Sequence, residues 1–344
     1  MTNSNQRSKS FANYFGSLWT KGSDVFPGLL IAATIAVAAT FLSEHYSAPV
    51  MLFALLLGMA FNFLSEEGGK VAIGIQFSSK TLLRLAVGLL GARITFTQIM
   101  ELGLTPIVIV IVAVFATIIF GTLMAKLFGL STQFGVLTSG AVAICGASAA
   151  MAISTVLPNH KDHERDTIFA VVAVTTLSTI AMIAYPILIA FFNLNDTQIG
   201  IFLGGTIHDV AQVVGAGYSV SQEAGDVATF TKLLRVSMLL PIVFGLAFLF
   251  RNSRGEGQVK APFPTFLLLF AGLVIINSLG FIPQEILDIL KHVSKWFLVT
   301  AIAALGMKTS IKQMASVGGR AIGLIIAQTI FIASLVLAIL LYGI

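Results

Sequence analysis

Six charged residues lie inside long apolar runs of this sequence, and a charge in such a position is costly enough to point to a function. Five of them are basic and one is acidic: Lys80, Arg84, Lys232, Arg235, Lys295 and Asp209. The first two are four residues apart and the next two are three apart, so each pair shares one face of a helix. Because the apolar runs contain five cations and only one anion, we predict an anionic substrate between the basic pairs. The forked guanidinium group of arginine suits an oxyanion. The alternative is that the lysines reach the membrane surface from near the helix ends.

Polar residues also interrupt the apolar run 199–219. Residues 204–217 read GGTIHDVAQVVGAG, so glycines that allow a helix to unwind flank His208 and Asp209. Histidine titrates near neutral pH, and a carboxylate in a low-dielectric cavity can also hold a proton, so we predict that these two residues bind the ion that drives transport. The alternative is a structural hydrogen bond to unwound backbone. The predicted substrate contacts of this segment are Gly205, Thr206 and Gln212.

A second interrupted run, TSGAVAICGASA over residues 138–149, consists almost entirely of small side chains. A broken helix leaves backbone donors free at membrane depth, and the N-terminus of a half-helix presents partial positive charge to an anion. The predicted substrate contacts here are Gly140, Cys145, Gly146 and Ser148. The alternative is that the small residues only let neighbouring helices approach closely.

The composition excludes most other classes of protein. Of the 344 residues, 57% are hydrophobic and 10% are charged, whereas soluble proteins carry about 25% charged residues. The mean hydropathy of +0.95 excludes a soluble enzyme, a secreted domain and a disordered chain. The net charge of +5 reflects basic cytoplasmic loops rather than a nucleic-acid partner. With one cysteine, no histidine pair within a run and no HExxH, GxSxG or Walker motif, we expect no metal, no cofactor and no enzyme activity.

The hydropathy pattern predicts an all-α polytopic membrane protein. A polar stretch with aromatic residues at near-helical spacing, 1–24, reads as an interfacial helix that precedes a transmembrane domain over 25–344. The first apolar run is long enough to be an uncleaved signal anchor. Eleven apolar runs are about as long as a membrane-spanning helix: 25–42, 48–64, 71–92, 102–126, 134–157, 165–192, 199–219, 228–250, 262–282, 290–306 and 316–342.

The distribution of basic residues predicts the orientation. With the N-terminus inside, eleven lysines and arginines fall in inner segments and four in outer ones, namely Arg93, Lys161, Arg165 and Lys291. Because cytoplasmic loops are enriched in Lys and Arg, we expect a cytoplasmic N-terminus and an external C-terminus.

An internal repeat appears when the chain is shifted by 215 residues. The sequence LGAR at 90–93 then meets LGMK at 305–308, and Ser79-Lys80 meets Ser294-Lys295. The copies 80–128 and 295–343 lie seven predicted spans apart, so they would have opposite orientations. Inverted repeats are typical of secondary transporters, which bind substrate near the midplane. Two amphipathic helices that match by chance are the alternative.

Five segments resemble the candidate sulfate exporter family, the YeiH-type bacterial inner-membrane proteins long recorded as conserved hypotheticals. They are LLRLAVGLLGARITFTQI (82–99), GAVAICGASAA (140–150), GGTIHDVAQVVGAG (204–217), KLLRVSMLLP (232–241) and AALGMKTSIKQM (303–314). A looser likeness is to the bile-acid/sodium symporter fold. The resemblance implies an inverted-repeat secondary transporter that exports small sulfur oxyanions. Ala147 stands where many relatives have a second glycine after Gly146.

We therefore expect a secondary transporter that moves a sulfate- or sulfite-like anion across the bacterial inner membrane, driven by a proton or sodium gradient. Its expected partners are the anion, the coupling ion and membrane lipid, and a homodimer is left open. A cation/proton antiporter is the alternative within transport, although it would call for more midplane carboxylates than Asp209. An intramembrane sensor or enzyme is the alternative outside transport.

Overall fold

A computed structural model describes residues 3–46, 49–65, 69, 71–158, 161–250, 265–308 and 319–343, with side chains from residue 23 onward except that of Thr265. The described residues form helices and no strand. The helices are α1 Asn3–Tyr46, α2 Val50–Ala60, α3 Ala72–Phe77, α4 Leu83–Leu89, α5 Phe96–Leu102, α6 Thr105–Leu127, α7 Thr132–Ala143, α8 Ala147–Ser154, α9 His163–Ile189, α10 Asp196–Thr206, α11 Val210–Val220, α12 Gln222–Ser237, α13 Leu239–Leu249, α14 Thr265–Ser278, α15 Gln284–Lys308 and α16 Gly319–Tyr342.

Seven helical stretches of the described residues, some made of consecutive helices, are long and apolar enough to cross a membrane. The chain is therefore a multi-pass membrane protein. The seven stretches are Ser23–Tyr46, Ala72–Arg93, Thr105–Leu127, His163–Ile189, Gln222–Leu249, Gln284–Lys308 and Gly319–Tyr342. Three shorter apolar helices are Val50–Ala60, Val210–Val220 and Phe266–Ser278. The expected interfacial helix 1–24 is continuous with the first of these spans, because α1 runs without a break from Asn3. Seven of the eleven predicted spans coincide with these long helices, those at 48–64 and 262–282 stay predictions, and those at 134–157 and 199–219 are corrected below.

The chain divides into two compact units. The first comprises Met1–Ala86 and His292–Ser310, and the second comprises Val87–Lys291 and Ile311–Ile344. In the first unit α1 packs closely on α3, since a Cβ on Gly28 or Gly74 would clash with the backbone of the other helix. The second unit contains both interrupted segments and the basic pair of α12.

The segment 196–220 is a helical hairpin rather than one broken spanning helix. Its first helix, α10, lies parallel to α12, because Thr197 Oγ1 donates to Glu223 Oε1 at 2.6 Å and a Cβ on Gly204 would lie 2.8 Å from Thr231 Cβ. Its second helix, α11, runs back along α12, with the hydroxyl of Tyr218 donating to Asp226. Both outer ends of the hairpin therefore lie at the start of α12. A hairpin that returns to its starting side does not cross the membrane, which corrects the span predicted at 199–219.

The segment 132–154, earlier in the chain, forms another hairpin, from α7 and α8. In chain order it is the first hairpin, and 196–220 is the second. A Cβ on Gly140 in α7 would clash with Cδ1 of Ile153 in α8. In one continuous helix these residues would be about 20 Å apart. The rings of Phe134, at the start of α7, and Phe169, near the start of α9, are 5.7 Å apart between centroids. Since α9 begins where the hairpin ends, this contact brings the two ends of the hairpin together, and the span predicted at 134–157 is corrected in the same way.

Two asparagines make reciprocal contacts that follow the 215-residue shift. Asn62 Nδ2 donates to the carbonyl of Met307 at 2.6 Å, and Asn277 Nδ2 donates to the carbonyl of Ala92 at 3.0 Å. Each asparagine and each acceptor is displaced from its counterpart by the same 215 positions. The first contact lies within the first unit and the second within the second unit, so each unit contains one of these two equivalent contacts.

Two glycines repeat this pattern. A Cβ on Gly306 would clash with the carbonyl of Leu55, and a Cβ on Gly91 would clash with the carbonyl of Phe270. The members of each pair again differ by 215 positions. These contacts also match α2 with α14 at the same shift, and the internal repeat stays a prediction. Residues 309–318 of its predicted second copy lie outside the described residues.

Candidate functional site

The turns of the two hairpins, 144–146 and 207–209, contact each other inside the second unit. A Cβ on Gly146 would lie 3.5 Å from the carbonyl oxygen of His208. Gly146 also has a φ of +65°, a conformation that favours glycine. Glycine at position 146 therefore allows both the sharp first turn and the close approach of the second turn to it. We call these two turns the hairpin tips.

Lys232 joins the two tips. Its Nζ donates to the carbonyls of Ile144 at 2.7 Å, Ile207 at 2.9 Å and His208 at 2.6 Å. The side chain is fully buried, with 0% exposure. An ammonium group has three donors, so all of them are used by backbone oxygens at the ends of α7 and α10. These helix ends carry partial negative charge, which stabilises the buried cation.

Arg235 lies one turn further along α12 and is also fully buried. Its Nε donates to Ala143 at 2.9 Å and its Nη2 to Val142 at 2.7 Å. Its Nη1 donates to Gly204 at 3.1 Å and to Ile207 at 3.0 Å. The last carbonyls of a helix have no partner within that helix, and Arg235 supplies partners for those of α7 and α10. The hydrogen bonds of this basic pair therefore go to backbone carbonyls, and the predicted contact of Lys232 and Arg235 with substrate stays a prediction.

The two half-helices that leave the tips differ in how their N-termini are capped. Asp209 caps α11, since its Oδ1 accepts from the N–H of Ala211 at 2.9 Å, and its own N–H donates to Ser178 Oγ at 2.9 Å. No side chain caps α8. In its first turn Ser148 is exposed, and its hydroxyl lies 2.9 Å from the sulfur of Cys145. The α8 N-terminus thus offers backbone donors that a bound anion could accept from.

His208 is fully buried and its Nε2 lies 2.9 Å from Thr329 Oγ1. That hydroxyl donates its one hydrogen to the carbonyl of Ile325 at 2.8 Å, so it accepts from His208 Nε2–H. Within the described part of the chain, Nδ1 of His208 has no hydrogen-bond partner. In the neutral imidazole, Nδ1 therefore carries no hydrogen.

The structure gathers some of the predicted site residues and separates others. Those at or beside the tips are Cys145, Gly146, Ser148, His208, Asp209, Gln212, Lys232 and Arg235. Gly140 packs against Ile153 within the first hairpin, and Thr206 donates to the carbonyl of Phe202 at 2.6 Å. Gly205 packs against Val336. Lys80 and Arg84 belong to the first unit and are exposed, as is Lys295.

Sequence reasoning missed three hydroxyl residues beside the second tip. Ser178 accepts from the backbone of Asp209, Thr329 accepts from His208, and Thr179 lies 3.5 Å from Gln212 Nε2. All three lie in long apolar helices and are buried. The signal that could have found them is the polar content of the runs TTLST at 175–179 and QT at 328–329.

A cavity of about 580 Å³ opens at the base of the second hairpin, where α10 and α12 begin. Its lining includes the carboxylates of Glu101, Glu223 and Asp226. Glu223 and Asp226 lie at the start of α12 and Glu101 lies near the end of α5, whereas Lys232, which contacts the tips, lies further along α12.

The chain is similar to membrane proteins of one bacterial family. The family model described as "Conserved hypothetical protein 698" matches residues 27–325. A UPF0324 membrane protein of Chlorobaculum tepidum is 55% identical over 315 residues, which is 91% of this chain and 88% of that protein. The UPF0324 membrane protein TauZ of Paracoccus denitrificans is 51% identical over 312 residues, or 90% and 92% of the two chains.

Among solved structures, the sodium proton antiporter MjNhaP1 of Methanocaldococcus jannaschii aligns over 92% of this chain and 98% of its own. The alignment has 13% sequence identity and a TM-score of 0.29. That score is too low to indicate a shared fold.

Proposed function

Since the chain belongs to the UPF0324 family of membrane proteins (Conserved hypothetical protein 698), we propose that it is a secondary transporter for a small sulfur-containing or inorganic oxyanion. In this proposal the protein exports a sulfate- or sulfite-like anion across the bacterial inner membrane. A proton or sodium gradient drives the transport.

The contact between the two hairpin tips is the observation that carries this proposal. Non-helical backbone at membrane depth is tolerated only where it is buried in protein or lines a watery cavity. Interrupted helices whose N-termini face an anion are a recurring design of secondary transporters. Here the uncapped N-terminus of α8, with Ser148 in its first turn, is the proposed anion subsite. Lys232 and Arg235 hold the tips in place around it.

The coupling role is assigned to His208 and Asp209. Nδ1 of His208 has no hydrogen-bond partner among the described residues, and Asp209 is the carboxylate of the second tip, at the N-terminus of α11. Both residues lie in the turn that contacts Gly146. Uptake of an ion at this turn would alter the charge next to the proposed anion subsite.

The hairpins also bear on the orientation. A hairpin adds no crossing, so the loop with Lys161 and Arg165 moves to the same side as the N-terminus. Basic residues then number thirteen on the inner side and two on the outer side, Arg93 and Lys291. This asymmetry is stronger than eleven crossing helices would give, and it supports a cytoplasmic N-terminus. The reciprocal contacts of Asn62 and Asn277 support the inverted repeat.

The transport proposal is tested in proteoliposomes loaded with labelled sulfate or sulfite, with and without a pH or sodium gradient. We expect gradient-dependent anion flux for the native protein and for the loop variant Lys161→Ala. Asp209→Asn keeps a good helix cap and His208→Gln keeps a donor for Thr329, so both should fold. At least one of them should lose the gradient dependence while it still binds the anion. Sodium flux without any anion flux would favour the antiporter instead.

The orientation is tested by cysteine labelling in a Cys145→Ala background. Thr197→Cys and Gln222→Cys lie at the two outer ends of the second hairpin. A membrane-impermeant maleimide should therefore label both from the same side of the membrane. Labelling from opposite sides would restore the spanning helix and remove the basis for the recount of basic residues.

A further inference from the structure

We propose that the carbonyl oxygens of Ile144, Ile207 and His208 form a binding site for a monovalent cation and that the ammonium group of Lys232 is its built-in occupant. The inference goes beyond the proposed function, because it concerns what holds the hairpin tips together and does not depend on which solute is moved.

The geometry is that of a small cation in an oxygen cage. Three carbonyl oxygens surround Lys232 Nζ at 2.6 to 2.9 Å. They come from two separate turns, and the lysine itself comes from a third element, α12. The ammonium is fully buried. Rings of backbone carbonyls are also the means by which channels replace the hydration shell of a monovalent ion.

The electrostatics of the tips require a positive charge at this position. α7 and α10 both end here, and the C-terminal end of each carries partial negative charge. Two such ends that approach each other repel unless a cation lies between them. Arg235 neutralises carbonyls of the preceding residues Val142, Ala143 and Gly204. The carbonyls of Ile144 and His208 accept from Lys232, so this side chain connects the turns themselves.

A tethered ammonium has a consequence for ion dependence. Because the cage is already filled, the native protein needs no free sodium, potassium or ammonium to keep its tips together. Removal of the side chain beyond Cβ leaves a cage of the same oxygens that is open to a diffusible cation. An ion that binds only the folded state stabilises it in proportion to the logarithm of its concentration above the dissociation constant.

The experiment measures thermal unfolding of the purified full-length protein in detergent. A maleimide dye reports unfolding through Cys145, the one cysteine of the chain, which is 4% exposed. Ammonium or methylammonium chloride replaces choline chloride at constant ionic strength. The proteins compared are the native chain, Lys232→Ala, Lys232→Met and the loop control Lys161→Ala.

We expect the native protein and the loop control to unfold at the same temperature in both salts. Lys232→Ala should unfold at a lower temperature in choline and regain most of the loss as ammonium rises, in a saturable manner. Lys232→Met should be equally destabilised in choline but gain nothing from ammonium, because its side chain fills the cage without a charge.

The proposal is overturned if ammonium shifts all four proteins equally, or if Lys232→Ala responds no more than Lys232→Met. Where Lys232→Ala gives no folded protein in choline, the readout becomes the yield of monodisperse protein after solubilisation in ammonium. No yield in either salt overturns the proposal as well. None of these readouts involves transport, so a failure here is distinct from a failure of the transport assay.

Discussion

Replacement of Arg235 by alanine removes four hydrogen bonds that a buried guanidinium donates to the ends of α7 and α10. A hydrogen bond to a charged group contributes about 1.5–3 kcal/mol net. Four of them would sum to about 6–12 kcal/mol, an upper bound because bonds to one side chain are not additive. Removal of one partner from a buried charged network costs about 3–5 kcal/mol. We therefore expect Arg235→Ala to lose at least about 3 kcal/mol of stability.

The loss should be visible as a lower unfolding temperature. At about 2 °C per kcal/mol, the smallest expected loss corresponds to a shift of about 6 °C. The assay is the reaction of the buried Cys145 thiol with a maleimide dye on heating in detergent. Arg320→Ala is the matched control, because Arg320 is exposed at the start of α16. It should leave the unfolding temperature within about 1 °C of the native value, as expected for a surface substitution.

A third variant separates charge from geometry. Arg235→Lys keeps a positive charge but has its donors on one atom, and it cannot reach all of the carbonyls that the guanidinium fork reaches. We expect it to fall between the native protein and Arg235→Ala. An Arg235→Ala protein that unfolds at the native temperature would refute the account in which this side chain holds the ends of both half-helices.

Two further predictions concern the packing. Gly204→Ala should destabilise the second hairpin by about 1–3 kcal/mol, because its Cβ would clash with the backbone of Ala228, while Gly245→Ala, with open space around it, should be neutral or stabilising in the same unfolding assay. Asn62→Ala and Asn277→Ala should each cost about 0.5–1.5 kcal/mol, and the double variant should show the sum; markedly unequal losses would argue against the equivalence of the two contacts.

The sequence predicted the apolar runs, the basic pairs and the two interrupted segments, but not the direction that the chain takes after each interruption. A hairpin and a broken span have similar lengths and similar apolarity, and both need a glycine such as Gly146 at the turn. Hydropathy contains no information about the side to which the chain returns. The one available sign was the charged loop of Lys161 and Arg165, which lay on the less basic side when the interrupted runs were counted as crossings.

The hydrogen-bond partners of Lys232 and Arg235 also could not be predicted from the sequence. The spacing of the two residues predicts that they share a helix face, and the structure agrees with that. The sequence could not show that the partners of this face are carbonyl groups. Every residue has a carbonyl, and the pattern of side chains does not mark the carbonyls that are left without a helical partner. The reciprocal asparagines were visible in the sequence at the same 215-residue shift, yet they became informative only through the backbone oxygens that they contact.

In the connection between the hairpin tips, the side-chain donors depend on amino-acid identity, whereas the backbone acceptors do not. Lys232 and Arg235 make seven hydrogen bonds to six carbonyl groups, of Val142, Ala143, Ile144, Gly204, Ile207 and His208. Since main-chain oxygens are supplied by any amino acid, mutation at most of the acceptor positions leaves the connection intact provided that the helices still end there. The two donors have no such freedom. Among these residues, mutational tolerance should therefore be greater at the acceptor positions that have no further role than on one face of α12, which lies next to the turns in space but well after them in the chain.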